Sequence, residues 1–217
     1  MTTVYAVEVT SRCNLSCVYC PQNAKYERVF TRPRVDITDE LFVAALAWAT
    51  WNPPAEIVLA GMGEPLMHPR IADYVAMTRA ALPKTAINLP TNGLLLTDGL
   101  ARQLAPHHPR IFISAHVPAR AAQAVQIADQ YGILAAVGCD AVANPIDWAG
   151  QIDWFPAGSH YPCPFIRKQY VAVTSTGVIM TCCYDLTGES HLGHVTECPH
   201  ALISRPWRCC PRCQQVP

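Results

Sequence analysis

The chain has 217 residues, 51% of them hydrophobic, and its 16 basic and 16 acidic side chains cancel to a formal net charge of zero. This composition excludes a disordered tail and predicts one good core with at most a small appendage. Neutral charge gives no sign of attraction to nucleic acid or acidic membranes, and no targeting segment or membrane span is found, so we expect a cytoplasmic protein.

Short β-branched runs alternate with helical patterns through the first three quarters of the chain. Predicted strands cover residues 4–9, 56–60, 85–89, 111–114 and 133–137, with a weak sixth strand at 152–155. Predicted helices cover residues 39–49, with Thr38 as the N-cap, and residues 70–82, 98–104 and 119–131. Strands separated by helices of this length need right-handed parallel crossovers.

The predicted fold class is therefore α/β, and the first domain is a partial, open parallel β/α barrel of five to six units over residues 1–157. A closed eightfold barrel needs about 200 to 250 residues, which this region lacks. Residues 158–217 are rich in proline, cysteine and histidine, and we expect them to form a small C-terminal lobe. Its only predicted strands are a hairpin of residues 169–175 and 177–182; the remainder is predicted as loops with little core, held by a metal or cluster.

Eleven cysteines are far more than an average cytosolic protein carries, and they favour metal binding over disulfides. Cys13, Cys17 and Cys20 directly follow the first predicted strand, and sites in parallel β/α folds collect at the carboxyl ends of strands. A closed structural zinc site would need a fourth ligand, and none is nearby. Three thiolates on a [4Fe–4S] cluster would instead leave one iron open to an exogenous ligand.

The spacing of these three cysteines, with the aromatic Tyr19 before the third, resembles the signature of the radical S-adenosylmethionine (SAM) enzymes. The resemblance implies that Cys13, Cys17 and Cys20 hold a [4Fe–4S] cluster to which SAM binds. It further implies that reductive cleavage of SAM gives a 5′-deoxyadenosyl radical, which removes a hydrogen atom from the substrate. An external electron donor such as flavodoxin or ferredoxin is implied as a partner.

Three further segments resemble SAM-binding elements of the same family. Ala60-Gly61-Met62-Gly63-Glu64-Pro65 is similar to the glycine-rich element that receives the amino group of SAM, with a backbone contact at Met62. Glu64 could equally cap the helix after Pro69. Pro90-Thr91-Asn92-Gly93 is similar to a Thr-Asn-Gly turn, and Ser114 to a polar residue that meets the ribose or carboxylate. The implied SAM contacts are thus Tyr19, Gly61, Met62, Gly63, Glu64, Asn92 and Ser114.

The C-terminal lobe resembles the auxiliary-cluster region of radical SAM enzymes of the SPASM and Twitch type, in its short one-cluster form. The implied ligands of a second [4Fe–4S] cluster are Cys163, Cys182, Cys210 and Cys213, with Cys183 and Cys209 as alternatives. Because neighbours on a strand point to opposite faces, we expect only one of Cys182 and Cys183 to face this cluster. A zinc site that uses His191, His194, Cys198 and His200 remains an alternative.

Three functions are compatible with these features. The first is oxidative modification, in which the second cluster accepts an electron from the substrate radical. The second is radical rearrangement or epimerisation of an amino-acid-derived group, free, peptidic or on a nucleobase, with Cys183 as a candidate hydrogen donor. His116 is a candidate acid or base at the substrate site, and a loop histidine satisfied locally is the equal alternative. The third is a non-catalytic metal-binding module. The substrate is predicted to be a small molecule, a nucleotide derivative or a peptide, and the position of Cys13 near the amino terminus makes a long leader peptide less favoured.

Overall fold

The computed structural model describes residues 4–26, 28–138, 170–183 and 185–197. Across these residues the strands are β1 Val4–Val7, β2 Glu56–Val58, β3 Ala86–Thr91, β4 Arg110–Ser114, β5 Leu134–Gly138, β6 Val171–Val173, β7 Val178–Met180 and β8 His191–His194. The α-helices in the same ranges are α1 Asp39–Trp51, α2 Ile71–Ala81, α3 Asp98–Leu104 and α4 Pro118–Gln130.

These eight strands form one sheet in the order β5-β4-β3-β2-β1-β6-β7-β8. Neighbours from β5 to β6 pair in parallel, and β7 and β8 add antiparallel strands at one side. The sheet does not close on itself, so the predicted open parallel β/α architecture is confirmed. Parallel pairing brings the carboxyl ends of β1 to β4 to the same edge of the sheet, which is where the candidate site lies.

Burial alternates along the strands and separates two faces of the sheet. On β4, Ile111 and Ile113 are fully buried against the helices, whereas Arg110 and Phe112 point to the opposite, inner face and are exposed. The helix-covered face holds the main core, to which β1, β2, β3, β4, β6 and β7 all contribute. Thr38 caps α1, as predicted, by accepting a hydrogen bond from the backbone N–H of Leu41 at 3.4 Å.

The segment after residue 170 contributes more to the core than the sequence indicates. The predicted hairpin is confirmed, since β6 and β7 pair antiparallel around Gly177, whose φ is +82°. The prediction of loops with little core is wrong for residues 191–195: His191–His194 form β8, and Val195 is buried in the main core. The predicted strand at 152–155 and the domain boundary at 157 lie outside the described residues. None of the helices in the described ranges is long and apolar enough to cross a membrane.

Replacement of Ile179 tests whether the C-terminal strands belong to the same cooperative unit. Ile179 on β7 is fully buried in the main core, so Ile179→Ala should lower the free energy of unfolding by about 2–5 kcal/mol. Urea denaturation followed by circular dichroism measures this loss. The control is Val43→Ala on α1, where the side chain is 49% exposed and the change should be under about 0.5 kcal/mol. An unchanged main transition in Ile179→Ala would mean that β7 unfolds independently.

Candidate functional site

A cavity of about 270 Å³ opens at the carboxyl ends of β1 to β4. It is lined by every site residue predicted for the barrel region: Cys13, Cys17, Tyr19, Cys20, Gly61, Met62, Gly63, Glu64, Asn92, Ser114 and His116. Leu15, Ala60, Pro90 and Thr91 complete the lining. The fold therefore brings the predicted residues together around one cavity, and the role of each residue stays a prediction.

The three cysteines lie on the loop that follows β1. Backbone hydrogen bonds fold this loop tightly: the N–H of Cys20 donates to the carbonyl of Cys17 at 3.0 Å, and the N–H of Asn23 donates to the carbonyl of Cys20 at 2.9 Å. The N–H of Leu15 donates to Sγ of Cys13 at 3.4 Å. An amide that points at a sulfur stabilises negative charge on it, as a metal-bound thiolate requires.

Burial raises the pKa of the Cys13 thiol, and it raises the pKa of Cys20 to about 11. In the metal-free chain these two thiols are therefore protonated at neutral pH. Iron binds the thiolate, so cluster assembly must release protons from this loop.

The donor set of this loop is suited to an iron–sulfur cluster. Cys13, Cys17 and Cys20 line one cavity from one loop, and the thiolates of a [4Fe–4S] cluster each bind a different iron. The residues present therefore fit a [4Fe–4S] cluster with one iron left without a protein ligand from this loop.

Gln22 ties the cysteine loop to the glycine-rich turn. Its buried side-chain amide donates to the carbonyl of Ser11 at 2.7 Å and to the carbonyl of Met62 at 2.6 Å. A second bridge joins the same loop to the end of β3, because the amide of Asn92 donates to Oδ1 of Asn14 at 2.7 Å. Three separate chain segments are thus held around the cavity by side-chain amides.

Glu64 is a buried carboxylate that joins the glycine-rich turn to β3. Oε1 accepts from the N–H of Leu66 at 3.0 Å and from the hydroxyl of Thr91 at 2.5 Å, and Oε2 accepts from the N–H of Asn92 at 2.7 Å. Burial raises the pKa of Glu64, and these three hydrogen bonds oppose the rise. One acceptor position remains on Oε2, so the carboxylate can still receive one donor from a ligand.

The alternative of Glu64 as the cap of the helix after Pro69 is wrong. Glu64 caps a short 3₁₀ turn, Pro65–Met67, whereas α2 begins at Ile71 behind Arg70, which makes no side-chain capping bond. The sequence alone does not distinguish a cap of the short 3₁₀ turn from a cap of α2, because Glu64 precedes both of them and prolines follow it at positions 65 and 69.

The glycine-rich turn passes so close to the segment that follows β1 that a side chain at position 63 does not fit. A Cβ on Gly63 would lie 2.3 Å from the carbonyl oxygen of Thr10 and 2.5 Å from that of Arg12. Met62, which replaces glycine in the family's pattern, is accommodated because it is buried with Phe30 and Leu186. The close approach explains why this turn needs glycine at position 63.

Glu8, at the end of β1, is a site-supporting residue that the sequence analysis missed. Its carboxylate accepts the N–H of Met62 at 2.8 Å, two bonds from Arg32 at 2.9 and 3.1 Å, and the N–H and hydroxyl of Ser175 at 3.1 and 3.0 Å. Both charged side chains are buried, at 5% and 9% exposure. Glu8 thus connects the glycine-rich turn to the β6–β7 hairpin. The available signal was a lone acidic residue in an otherwise apolar strand.

Tyr19 and His116, which both line the cavity, contact each other. The hydroxyl of Tyr19 forms a short hydrogen bond with Nδ1 of His116, and their ring centroids are 5.6 Å apart. This contact links the cysteine loop to the chain that follows β4. The predicted candidate His116 therefore lies at the site, in contact with a residue that lies between two of the cysteines.

Only part of the predicted second cluster falls on described residues. Cys163, Cys209, Cys210 and Cys213 lie outside them, so the ligand set stays a prediction. Cys182 and Cys183 both follow β7, which ends at Met180, so the argument from opposite faces of a strand does not hold. Cys182 is buried, whereas Cys183 lines a second cavity of about 20 Å³ that shares Ala60 and Gly61 with the main one.

The histidines of the alternative zinc site are differently engaged. Both ring nitrogens of His194 have partners, with Nε2 at 2.9 Å from the carbonyl of Thr176 and Nδ1 at 2.8 Å from the hydroxyl of Thr196. His191 is exposed on β8, and Cys198 and His200 lie outside the described residues. His194 would have to break a hydrogen bond to bind zinc, which disfavours this alternative.

This open β/α sheet with three cysteines at one strand end is the architecture of a radical SAM protein. The profile of the radical SAM superfamily matches residues 7–129, more than half of the chain, and the chain belongs to this superfamily. The resemblance drawn from the motifs is thereby confirmed, and so, at the level of the family, is the prediction of an enzyme. Membership implies a [4Fe–4S] cluster and SAM.

Two curated relatives show where the similarity lies. A tungsten-containing aldehyde ferredoxin oxidoreductase cofactor-modifying protein of Pyrococcus furiosus is 34% identical over 100 residues, which are 46% of this chain and 26% of that protein. A GTP 3′,8-cyclase of Heliobacterium modesticaldum is 36% identical over 108 residues, 50% of this chain and 32% of that one. The chain thus matches less than a third of the length of either relative.

Solved structures resemble nearly the whole chain in fold. BtrN in complex with AdoMet and 2-DOIA has a TM-score of 0.74 at 21% identity, over 91% of this chain and 79% of that one. The structure of anSMEcpe with bound AdoMet has a TM-score of 0.67 at 12% identity, over 91% of this chain and 76% of that one. At these identities the likeness concerns the fold.

The close backbone approach at Gly63 can be tested by adding one methyl group. Gly63→Ala should lower the free energy of unfolding by about 1–3 kcal/mol, because two backbone carbonyls would have to move. The control is Gly99→Ala in α3, where the nearest atom to an added Cβ is 3.9 Å away and alanine favours the helix. Thermal and urea denaturation of both variants measure the difference. Equal stability of the two variants would contradict the close approach.

The Glu8–Arg32 pair allows a second test. Glu8→Ala leaves the Arg32 guanidinium buried without its counter-charge, and we expect a loss of about 3–5 kcal/mol in unfolding free energy. Asp73→Ala removes an exposed ion pair with Arg70 and should cost less than about 1 kcal/mol. The double variant Glu8→Ala/Arg32→Ala should recover part of the loss, since the unpaired charge is gone. A Glu8→Ala variant no less stable than Asp73→Ala would show that Glu8 does not hold the site together.

Proposed function

We propose that the chain binds a [4Fe–4S] cluster at Cys13, Cys17 and Cys20, cleaves SAM reductively and uses the 5′-deoxyadenosyl radical to remove a hydrogen atom from a small-molecule substrate. The observation that carries this proposal is the single cavity that the cysteine loop shares with the glycine-rich turn and the ends of β3 and β4. The cluster, when bound, supplies the electron for the cleavage.

The polar lining offers groups suited to the two ends of SAM. Glu64 keeps one acceptor position, which suits the ammonium group, and it lies beside the glycine-rich turn, whose backbone can approach a ligand closely. Asn92 and Ser114, at the ends of β3 and β4, would bind the hydroxyl or carboxylate oxygens. Tyr19 adds an aromatic ring near the cysteines.

The apolar part of the lining serves a radical reaction. Leu15, Ala60, Met62 and Pro90 border the cavity with apolar side chains. These side chains would pack against the substrate, keep water out and help to hold the substrate carbon against the 5′ carbon of the radical. The protein's contribution is therefore positioning and exclusion of water.

We propose oxidative modification as the outcome, with an auxiliary cluster at Cys163, Cys182, Cys210 and Cys213 as the electron acceptor. Burial of Cys182 next to the sheet is compatible with a ligand role. A rearrangement or epimerisation is the second candidate, and one observation favours it: Cys183 lines a cavity that adjoins Gly61 of the main site. A thiol in that position would be able to return a hydrogen atom to a substrate radical.

The relatives support a small-molecule substrate. The GTP 3′,8-cyclase is named for a nucleotide, and the BtrN structure contains the small molecule 2-DOIA together with AdoMet. For this chain the substrate, and an external one-electron donor such as flavodoxin or ferredoxin, are part of the proposal. Cleavage of SAM by the chain would exclude the third function, a non-catalytic metal-binding module.

Single cysteine variants test the division of roles between the two cysteine groups. In anaerobically reconstituted protein with SAM and dithionite, Cys13→Ala, Cys17→Ala and Cys20→Ala should each abolish formation of 5′-deoxyadenosine. Cys182→Ala and Cys210→Ala should retain at least part of this uncoupled cleavage, because neither residue is a proposed ligand of the cluster that binds SAM. Chromatographic assay of 5′-deoxyadenosine, with iron and acid-labile sulfide analysis, measures the result.

Two outcomes would contradict the proposal. Wild-type protein without iron or sulfide after reconstitution would exclude the enzyme function. Equal loss of cleavage in folded variants of both groups would undo the division of roles. With a turned-over deuterated substrate, return of deuterium to the product would favour rearrangement or epimerisation over oxidation.

A further inference from the structure

The inner face of the sheet, opposite the helices, has buried side chains at one end of the strand order and exposed side chains at the other. Around β1, β6 and β7 it is packed, with Ala6, Ala172 and Met180 buried together. At β4 and β5 it is not: Phe112 is 38% exposed and Leu134 is 66% exposed, and Arg110 and Ala136 are also exposed. These four residues share one face, because Arg110 pairs in register with Leu134, and Phe112 with Ala136. We call them the open shelf.

The open shelf continues directly from the candidate active site. Ser114, two residues after Phe112 on the same face of β4, lines the main cavity, and Pro90, the neighbour of Phe112 in register on β3, lines it as well. At about 3.3 Å per residue, Phe112 lies about 7 Å and Arg110 about 13 Å from Ser114 along the strand. A small molecule placed on the shelf would thus reach the cavity with one end.

The far end of the shelf carries an unpaired cation. No acidic side chain of the described residues lies within ion-pair distance of Arg110. Three other arginines in the same ranges each pair with a carboxylate: Arg12, Arg32 and Arg70. An exposed guanidinium beside apolar residues is well suited to hold a carboxylate or phosphate through two parallel hydrogen bonds.

Asn88 provides a second, independent sign of a ligand. It pairs in register with Arg110 on β3 and is 8% exposed. Its amide nitrogen donates to Glu56 at 3.2 Å, but its Oδ1 is buried without a hydrogen-bond partner. A buried acceptor left without a donor costs free energy. A guanidinium drawn inward by a bound anion would be able to donate to this oxygen.

We propose that the open shelf binds the substrate, and that the substrate is a small molecule with a flat apolar ring and an anionic group; this inference rests on the proposed function. The ring packs against Phe112, the anionic group pairs with Arg110, and the reacting carbon lies toward Ser114 and the cavity. Asn88 orients Arg110 and is a positioning residue. The shelf is two strands wide, about 10 Å, which suits a small molecule.

A matched pair of probes tests the charge and the ring separately. Biphenyl-4-carboxylate and biphenyl-4-carboxamide have the same rings and differ in charge. In isothermal titration of the anaerobically reconstituted protein with SAM present, the carboxylate should bind at least about tenfold more tightly than the amide. Arg110→Gln should remove this preference, and Arg110→Lys should keep part of it. Phe112→Ala should weaken both probes. Arg120→Gln on α4, where the arginine side chain donates to Gln123, should behave as wild type.

The inference is overturned if Arg110→Gln keeps the preference, if Phe112→Ala leaves both affinities unchanged, or if neither probe binds at millimolar concentration. Phe112→Leu, which keeps the apolar volume and removes the ring face, replaces Phe112→Ala if that variant does not fold. Formation of 5′-deoxyadenosine is measured on the same wild-type sample. Cleavage of SAM with no dependence of probe binding on Arg110 would refute the shelf alone, whereas failure to hold iron or cleave SAM would refute the proposed function.

Discussion

The buried carboxylate of Glu8 is the interaction on which the rest of the site depends. It neutralises Arg32, receives the backbone of the glycine-rich turn at Met62 and fixes the β6–β7 hairpin through Ser175. A buried ion pair is costly to dehydrate, and it is tolerated here because every additional bond to the carboxylate comes from a segment that must be positioned. One side chain therefore sets where β1, the turn and the C-terminal strands meet.

The parallel register of the strands determines how the other site residues are placed relative to Glu8. Because β1 to β4 run in the same direction, the residues that follow them arrive at one edge with spacings fixed by the backbone. Asn92 and Glu64 then connect neighbouring strand ends through direct bonds. The site is thus assembled from short segments far apart in the chain, none of which could hold its geometry alone.

Local patterns and pairing of distant segments differ in how far the sequence predicts them. Helices α1 and α3 were predicted to within a few residues, since a capping threonine and apolar periodicity are local signals. The cysteine loop is predicted by its unusual spacing, whereas the turn at Gly63 is predicted by its resemblance to the family's glycine-rich element and by its position one strand after the cysteines. β8 was missed because His191-Leu192-Gly193-His194 carries no β-branched residue. The network of Glu8 was missed because its partners Arg32 and Ser175 are remote in sequence.

The two hydrogen bonds that the Gln22 side chain donates have a thermodynamic consequence for the site as a whole. Because one amide group holds both Ser11, at the start of the cysteine loop, and Met62, in the glycine-rich turn, order in one segment restricts the other. A ligand that orders either segment also restricts the other one. The second segment then loses less conformational entropy when it binds its own ligand. Linkage of this kind is reciprocal: if occupancy of the loop raises the affinity of the turn, occupancy of the turn raises the affinity of the loop by the same factor.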